Sequence, residues 1–133
     1  MAIWQIPIKL VSAQGDVIAL RKLTGTAELA AVLPEEKSWC SHILQYGNLE
    51  ETCVELWHED GAVEEISVRI DLRSISKQQL ESVCTFAAAN GMQLVCGDQV
   101  YTPCVESFRE IVAQSDAHRF LTDPQGFLDA LDK

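Results

Sequence analysis

Apolar and polar residues alternate most regularly over residues 65–73 of the chain. Because successive side chains of a strand point to opposite faces, this alternation predicts a strand with one face in the protein core. The charged and polar residues between the apolar ones are expected to face the other way. The apolar face consists of Ile66, Val68, Ile70 and Leu72.

A second strand is predicted over residues 52–58, and an Asp-Gly dipeptide at 60–61 joins the two as a hairpin. A two-residue loop without a bulge would pair Leu56 with Glu65 and place an apolar side chain on the polar face. A three-residue loop, or a bulge beside the glycine, instead pairs Leu56 with Ile66. We therefore predict the second register. Its outward-facing pairs are Glu55 with Ser67 and Trp57 with Glu65.

The period of two also appears over residues 4–10, where Trp4 shares one face with three aliphatic residues. This predicts another half-buried strand with Trp4 in the core. Pro7 cannot donate a ladder hydrogen bond, so the strand is expected at an edge of the sheet. An edge strand can pair with its copy in a second chain, which makes a homodimer through this N-terminal strand the predicted assembly if the protein is an oligomer.

The remaining elements are predicted from turn signals, capping residues and helical periodicity. Thr26 is expected to cap the first helix and Ser76 the second. Strands are expected at residues 17–23, 38–46, 92–96 and 99–101, and helices at 26–33, 76–90 and 103–114, with a terminal helix after Asp123-Pro124. The predicted fold is therefore α+β. It is a single domain over residues 1–133, with a mostly antiparallel sheet of about five or six strands and two or three helices packed on one face.

Charge is distributed very unevenly in this chain of 133 residues and net charge −10. Between Lys37 and Arg69 there are seven acidic residues and no lysine or arginine. Phosphate binding needs clustered basic residues, so nucleic acids and anionic membranes are not expected as partners. An excess of acids instead attracts basic protein partners.

Other features of the sequence favour a cytoplasmic protein. Pro7 and Lys9 interrupt the apolar start, so no signal peptide is predicted. No apolar run has the roughly 18 residues that a membrane span requires. The five cysteines are dispersed and odd in number, which is typical of reduced thiols rather than of a disulfide framework.

Candidate catalytic groups are few. Cys40 and His42 share a parity, but their predicted strand face also carries apolar residues, so packing is the favoured interpretation. His118 follows a serine and an aspartate directly, whereas catalytic triads are assembled across a fold. Adjacent acids such as Glu64-Glu65 diverge on a regular strand, and no close pair of zinc ligands occurs. We therefore predict no enzyme activity, no cofactor and no metal site.

The functional hypothesis is a module that binds a basic partner protein through an acidic hairpin face. Its most concrete form is an immunity- or antitoxin-like inhibitor of a cationic toxin. Trp57 could anchor that face or lie in the core, and Trp39 is expected in the core. The alternatives are a structural or regulatory homo-oligomer and, with least weight, a small cysteine-dependent enzyme. The predicted partner-binding residues are Glu55, Trp57, Glu59, Asp60, Glu64 and Glu65.

Overall fold

The structure, a computed structural model, describes residues 5–114 of the chain. These residues form a mixed α+β arrangement in which every strand pairing is antiparallel. The strands are β1 (Gln5–Ser12), β2 (Ile18–Ala19), β3 (Glu35–Glu36), β4 (Ile43–Gly47), β5 (Cys53–Glu59), β6 (Ala62–Asp71), β7 (Met92–Cys96) and β8 (Gln99–Tyr101). The helices are α1 (Thr26–Val32), α2 (Lys77–Ala89) and α3 (Val105–Gln114), with a 3-10 turn at Leu20–Lys22.

The described strands form a single sheet in the order β3-β4-β5-β6-β1-β7-β8, with β2 paired to the start of β6. The predicted α+β class is therefore confirmed, and the described residues contain eight strands rather than five or six. The strand that was not predicted is β3, because a segment of two residues leaves no periodicity in the sequence. β2, also two residues long, lies within the strand expected at 17–23.

The edge position predicted for the N-terminal strand is wrong, because β1 lies in the middle of the sheet. It pairs with β6 from Gln5 to Leu10 and with β7 from Lys9 to Ser12. The Pro7 carbonyl accepts a hydrogen bond from the Cys96 thiol at 3.7 Å, so the Pro7 nitrogen also faces the β7 side, where β7 ends. The missing N–H thus disrupts no ladder bond. The free edge required for the predicted homodimer is absent along residues 9–12.

One face of the sheet and the three helices enclose the hydrophobic core. The inward residues of β1 and β6 meet directly, as in Ile8 opposite Val68. The core also contains buried residues of every helix, among them Leu29, Phe86 and Phe108. The apolar face predicted for residues 65–73 is confirmed, since all four of its members are buried.

The helix ends follow local signals. The Ser76 hydroxyl accepts a hydrogen bond from the backbone N–H of Gln79, so the predicted N-cap of α2 is confirmed. For α1, the N-cap is Gly25 rather than Thr26. The hairpin of β7 and β8 has the predicted bounds, and α3 begins just after the Thr102-Pro103 start signal. None of the helices described between residues 5 and 114 combines the length and apolar character needed to cross a membrane.

The predicted register of the β5–β6 hairpin is confirmed. Leu56 lies opposite Ile66, and Trp57 lies opposite Glu65 on the outer face of the sheet. The loop has two residues, Asp60 and Gly61, and the bulge that produces the predicted register lies further from this turn than expected. His58 pairs with Val63, so Glu64 is the extra residue on β6.

Three other predictions differ from the structure or lie beyond it. The strand expected at 38–46 begins only at Ile43, because residues 38–42 form a loop. The strand expected at 17–23 is limited to β2, and a 3-10 turn follows it. Trp4, His118 and the terminal helix after Asp123-Pro124 lie outside the described residues.

Candidate functional site

The β5–β6 hairpin ends in a group of exposed carboxylates. Asp60 and Gly61 have φ angles of 51° and 78°, and a type I′ turn requires positive φ at both of its central residues. This tight turn keeps the two strand ends together, so the acids beside it are confined to a small region. The exposed acids are Glu59, Asp60, Glu64 and Glu65.

The bulge brings two of these acids into contact. The carboxyl groups of Glu59 and Glu64 are hydrogen bonded, and this bond is the main cause that raises the pKa of Glu64. Slight desolvation and the charges of Glu59 and Asp60 raise this pKa further, whereas His42 acts in the opposite direction. On a regular strand, the Glu64 side chain would point to the face opposite to those of its two sequence neighbours. The extra residue removes that constraint and permits a pair of carboxyl groups.

The remaining acid of the group, Glu65, already has a cationic partner. Its Oε1 lies 3.0 Å from Nζ of Lys9 on β1. Both side chains are well exposed, so the pair contributes little to stability, but it neutralises Glu65 locally. Among the salt bridges of residues 5–114, none involves the other three acids of the hairpin end, Glu59, Asp60 and Glu64.

The expectation that Glu55 faces solvent is wrong. Glu55 is only 2% exposed. Oε1 of Glu55 lies 3.1 Å from Nη2 of Arg69, and Oε2 accepts a hydrogen bond of 3.4 Å from the indole Nε1–H of Trp39. The outward parity of Glu55 was predicted correctly. Parity does not reveal that a loop packs over this part of the outer face, and Glu55 therefore offers a partner no accessible surface.

The most exposed tryptophan among the described residues is Trp39, at 66%, although it was expected in the core. Its ring packs edge-on against Trp57, with the ring centroids 5.5 Å apart and the planes at 72°. Trp57 is half-buried, so it supports Trp39 more than it contacts solvent. Edge-to-face packing of this kind is favourable for aromatic pairs.

The loop that carries Trp39 is held by its own hydrogen bonds. The Ser38 hydroxyl lies 2.5 and 2.7 Å from the carbonyl oxygens of Cys40 and Ile43. The backbone N–H of Ile43 also bonds the Cys40 carbonyl, at 3.1 Å. These contacts, together with the bond to Glu55, hold the exposed indole in a defined position. Such preorganisation lowers the entropic cost of binding.

Trp39 and the acids are parts of one surface. Trp39 contacts Trp57, which is the cross-strand neighbour of Glu65 and lies two residues before Glu59 on the same strand. Residues i and i+2 of a strand are separated by about 7 Å and share a face. We call the group of Trp39, Trp57, Glu59, Asp60 and Glu64 the acid–tryptophan surface.

Sequence reasoning found the acids of this surface but missed its exposed aromatic residue. The strand predicted over 38–46 imposed an alternation on Trp39 that the loop does not have. The local signal was the pair of serines at 38 and 41, since serine favours turns through hydrogen bonds to nearby backbone groups.

The residues of the cysteine-enzyme hypothesis do not form a thiol–imidazole pair. The His42 ring approaches the His58 carbonyl through Nδ1, at 3.3 Å, and the Cys40 thiol contacts the backbone N–H of His42, at 3.5 Å. A nucleophilic thiol needs a hydrogen bond to the ring of its base. Within residues 5–114, no three histidine, cysteine or acidic side chains converge in a way that could hold a metal ion.

The other cysteines differ strongly in environment. Burial raises the pKa of Cys53 to about 11 and that of Cys84 to about 12, and it also raises the pKa of Cys96. Cys104 is exposed beside the start of α3, and a hydrogen bond to the Ser107 side chain lowers its pKa. Within the described part of the chain, the side-chain partners of the Cys104 thiol are the hydroxyl groups of Thr102 and Ser107, whereas a nucleophilic thiol needs a base as its partner.

The geometry of the acid–tryptophan surface is the basis for a functional assignment, because comparison with other proteins supplies none. Comparisons with protein-family models, curated proteins and solved structures gave no match to this chain.

Proposed function

We propose that this protein is a non-enzymatic binding module for a basic partner protein, which it contacts through the acid–tryptophan surface. The observation that carries the proposal is the 66% exposure of Trp39, which Trp57 links to the exposed acids at the hairpin end. Tryptophan is enriched among the residues that dominate binding energy at protein interfaces. The carboxylates around it favour the approach of a positively charged partner and disfavour an acidic one.

Two features of the surface support this role over that of a solvated face. First, Trp39 is fixed by Glu55, Ser38 and Trp57, so little order has to be gained on binding. Second, the Lys9 and Arg69 side chains pair with Glu65 and Glu55 and leave the other acids of the hairpin end without a salt bridge within residues 5–114. A partner can therefore supply the cations that Glu59 and Glu64 do not receive within residues 5–114.

The most concrete form of the proposal is an immunity- or antitoxin-like inhibitor that covers the basic site of a toxin. Small size and a net charge of −10 support this form. Basic active sites that act on nucleic acids are natural targets for such a surface, because the inhibitor's carboxylates would replace the phosphates of the substrate.

The test combines partner capture with matched variants. The protein is used as bait in extract from its native host, in parallel with Trp39→Ala, with Glu59→Gln/Glu64→Gln, and with the control Glu28→Gln/Glu110→Gln. Both control acids are exposed on helices, and the two double variants change the net charge equally. We expect a basic protein that is retained by the wild type and the control but lost from the other two baits. Titration calorimetry with the purified partner should then show affinity that falls as salt rises. Equal retention by all four baits would contradict the proposal.

A further inference from the structure

The acid–tryptophan surface has a chemical preference among cations. Resting on the proposed function, we propose that it recognises an arginine side chain of the partner, with the guanidinium plane on the exposed indole of Trp39 and its N–H groups directed to the carboxylates at the hairpin end.

The indole supplies the first element of this site. A cation over the face of tryptophan is attracted by the ring, and arginine also stacks on it through its own flat π system. Trp57 stands at 72° to Trp39 and is half-buried, so it forms a second wall that restricts how the cation can lie. A flat group fits against one wall of such a corner better than a strongly hydrated spherical ammonium.

The carboxyl groups supply the second element. Glu59 and Glu64 are exposed on the two strands of the hairpin end, and Glu64 is the extra residue of the bulge. Glu59 is also the main cause of the raised pKa of Glu64. Negative charge on neighbouring carboxyl groups is unfavourable, and a cation bound beside them would relieve this. Guanidinium presents five N–H donors in a fixed fork, so it can serve both groups at once.

The basic side chains near Glu59 and Glu64 are engaged with other acids, so a cation of a partner can bind beside these two carboxyl groups. His42 and Asp60 are the other titratable groups that act on Glu64. Among the described residues, Lys9 is engaged with Glu65 and Arg69 with Glu55. Arg69 also shows the preferred pairing within the protein itself, since it binds the carboxylate that holds the Trp39 indole.

The experiment compares three short capped peptides that differ only at a few positions, which carry arginine, lysine or citrulline. Citrulline has nearly the shape of arginine but no charge. Each peptide is titrated into the isotopically labelled full chain at low salt, and the indole N–H signals are followed by NMR. We expect the arginine peptide to shift the Trp39 signal and to bind about three- to fivefold more tightly than the lysine peptide, with no saturable shift from citrulline.

Variants locate the binding. Trp39→Leu should remove the preference for arginine, Trp39→Phe should retain part of it, and Glu59→Gln/Glu64→Gln should weaken the binding of both cationic peptides. Thermal unfolding of each variant checks that the exposed substitution leaves the fold intact. The control Glu28→Gln/Glu110→Gln should bind as the wild type does.

The outcomes separate this inference from the proposed function. Equal affinity for arginine and lysine, or a preference that survives Trp39→Leu, would overturn arginine recognition while leaving the acidic surface as a binding site. Failure of the proposed function appears differently, as a native partner whose retention is indifferent to all hairpin and Trp39 variants. Binding of citrulline as tight as that of arginine would also overturn the inference, because it would show that charge has no part.

Discussion

The indole N–H of Trp39 donates a hydrogen bond of 3.4 Å to Oε2 of Glu55, so the most exposed aromatic side chain described here is attached to one of the most buried acids. The other oxygen of Glu55 is held by Arg69 at 3.1 Å. A carboxylate expected to contact a partner therefore acts inside the protein, where it positions a side chain that can.

This relationship predicts that two glutamates of the same strand contribute very differently to stability. Glu55→Gln should lower the free energy of unfolding by about 1–3 kcal/mol, because it removes the carboxylate partner of Arg69 at a site with little access to water. Glu59→Gln, at an exposed position, should change it by less than about 0.5 kcal/mol. Urea unfolding of the two variants makes the comparison. A similar small effect for both would show that the buried ion pair adds nothing to stability.

The carboxyl pair at the bulge predicts a stability that depends on pH. The raised pKa of Glu64 means that the folded state holds its proton more tightly than the unfolded chain does. The favourable contribution is therefore fully present below the ordinary pKa of 4.5 and is lost as the pH rises through the folded-state pKa. Glu64→Gln should thus be more stable than the wild type at neutral pH, and the difference should vanish in acid.

The measurement is the urea midpoint of both proteins at several pH values, with Glu65→Gln as the control. Since Glu65 is paired with Lys9, its replacement should give no gain in stability at neutral pH. A gain of equal size in both variants would point to the general reduction of negative charge rather than to the Glu59–Glu64 contact.

Two glycines with positive φ provide a matched test of local packing. At Gly47 (φ 86°) an added Cβ would lie 2.7 Å from the Thr52 carbonyl oxygen, whereas at Gly61 (φ 78°) it would meet nothing within 4 Å. Gly61→Ala should cost about 1 kcal/mol, from backbone strain alone. Gly47→Ala should cost about 3 kcal/mol, since a backbone clash is added to the strain. Equal losses in thermal or urea unfolding would contradict the geometry at Gly47.

The thiols are predicted to react in a defined order. Cys104 is exposed and its pKa is lowered, whereas burial raises the pKa of Cys53 to about 11 and of Cys84 to about 12. At neutral pH, iodoacetamide should therefore modify Cys104 first, and Cys53 and Cys84 only after unfolding. Mass spectrometry of digested samples identifies the sites. Cys104→Ser should abolish the fast phase, and fast modification of Cys84 in the folded protein would contradict the structure.

The sequence predicted the fold well where the periodicity was long. The ten residues of β6 and the seven of β5 set their own register, because only one register places Leu56 and Ile66 on the same face. The bulge was expected in principle, but its location at Glu64 depends on where the hairpin resumes pairing. That choice belongs to the three-dimensional ladder and not to the pattern of apolar residues.

The candidate site was only half predictable, for a related reason. Charge counts identified the acids near residue 60, but they could not show that Glu55 is covered or that Trp39 is exposed. Both facts depend on the loop before β4, whose path is set by hydrogen bonds of Ser38 and by packing on Trp57. Pro7 illustrates the same limit, since the rule that places proline at edges does not consider a central strand whose neighbour ends early.

The central position of β1 has a consequence for how the protein folds during translation. Among the described strands β1 is translated first, yet its partners on either side end at Asp71 and Cys96. The earliest segment of the sheet must therefore wait, with its apolar face uncovered, until most of the described chain has left the ribosome. Folding should be slow for a domain of this size, and the emerging β1 is the segment with the greatest need of a chaperone.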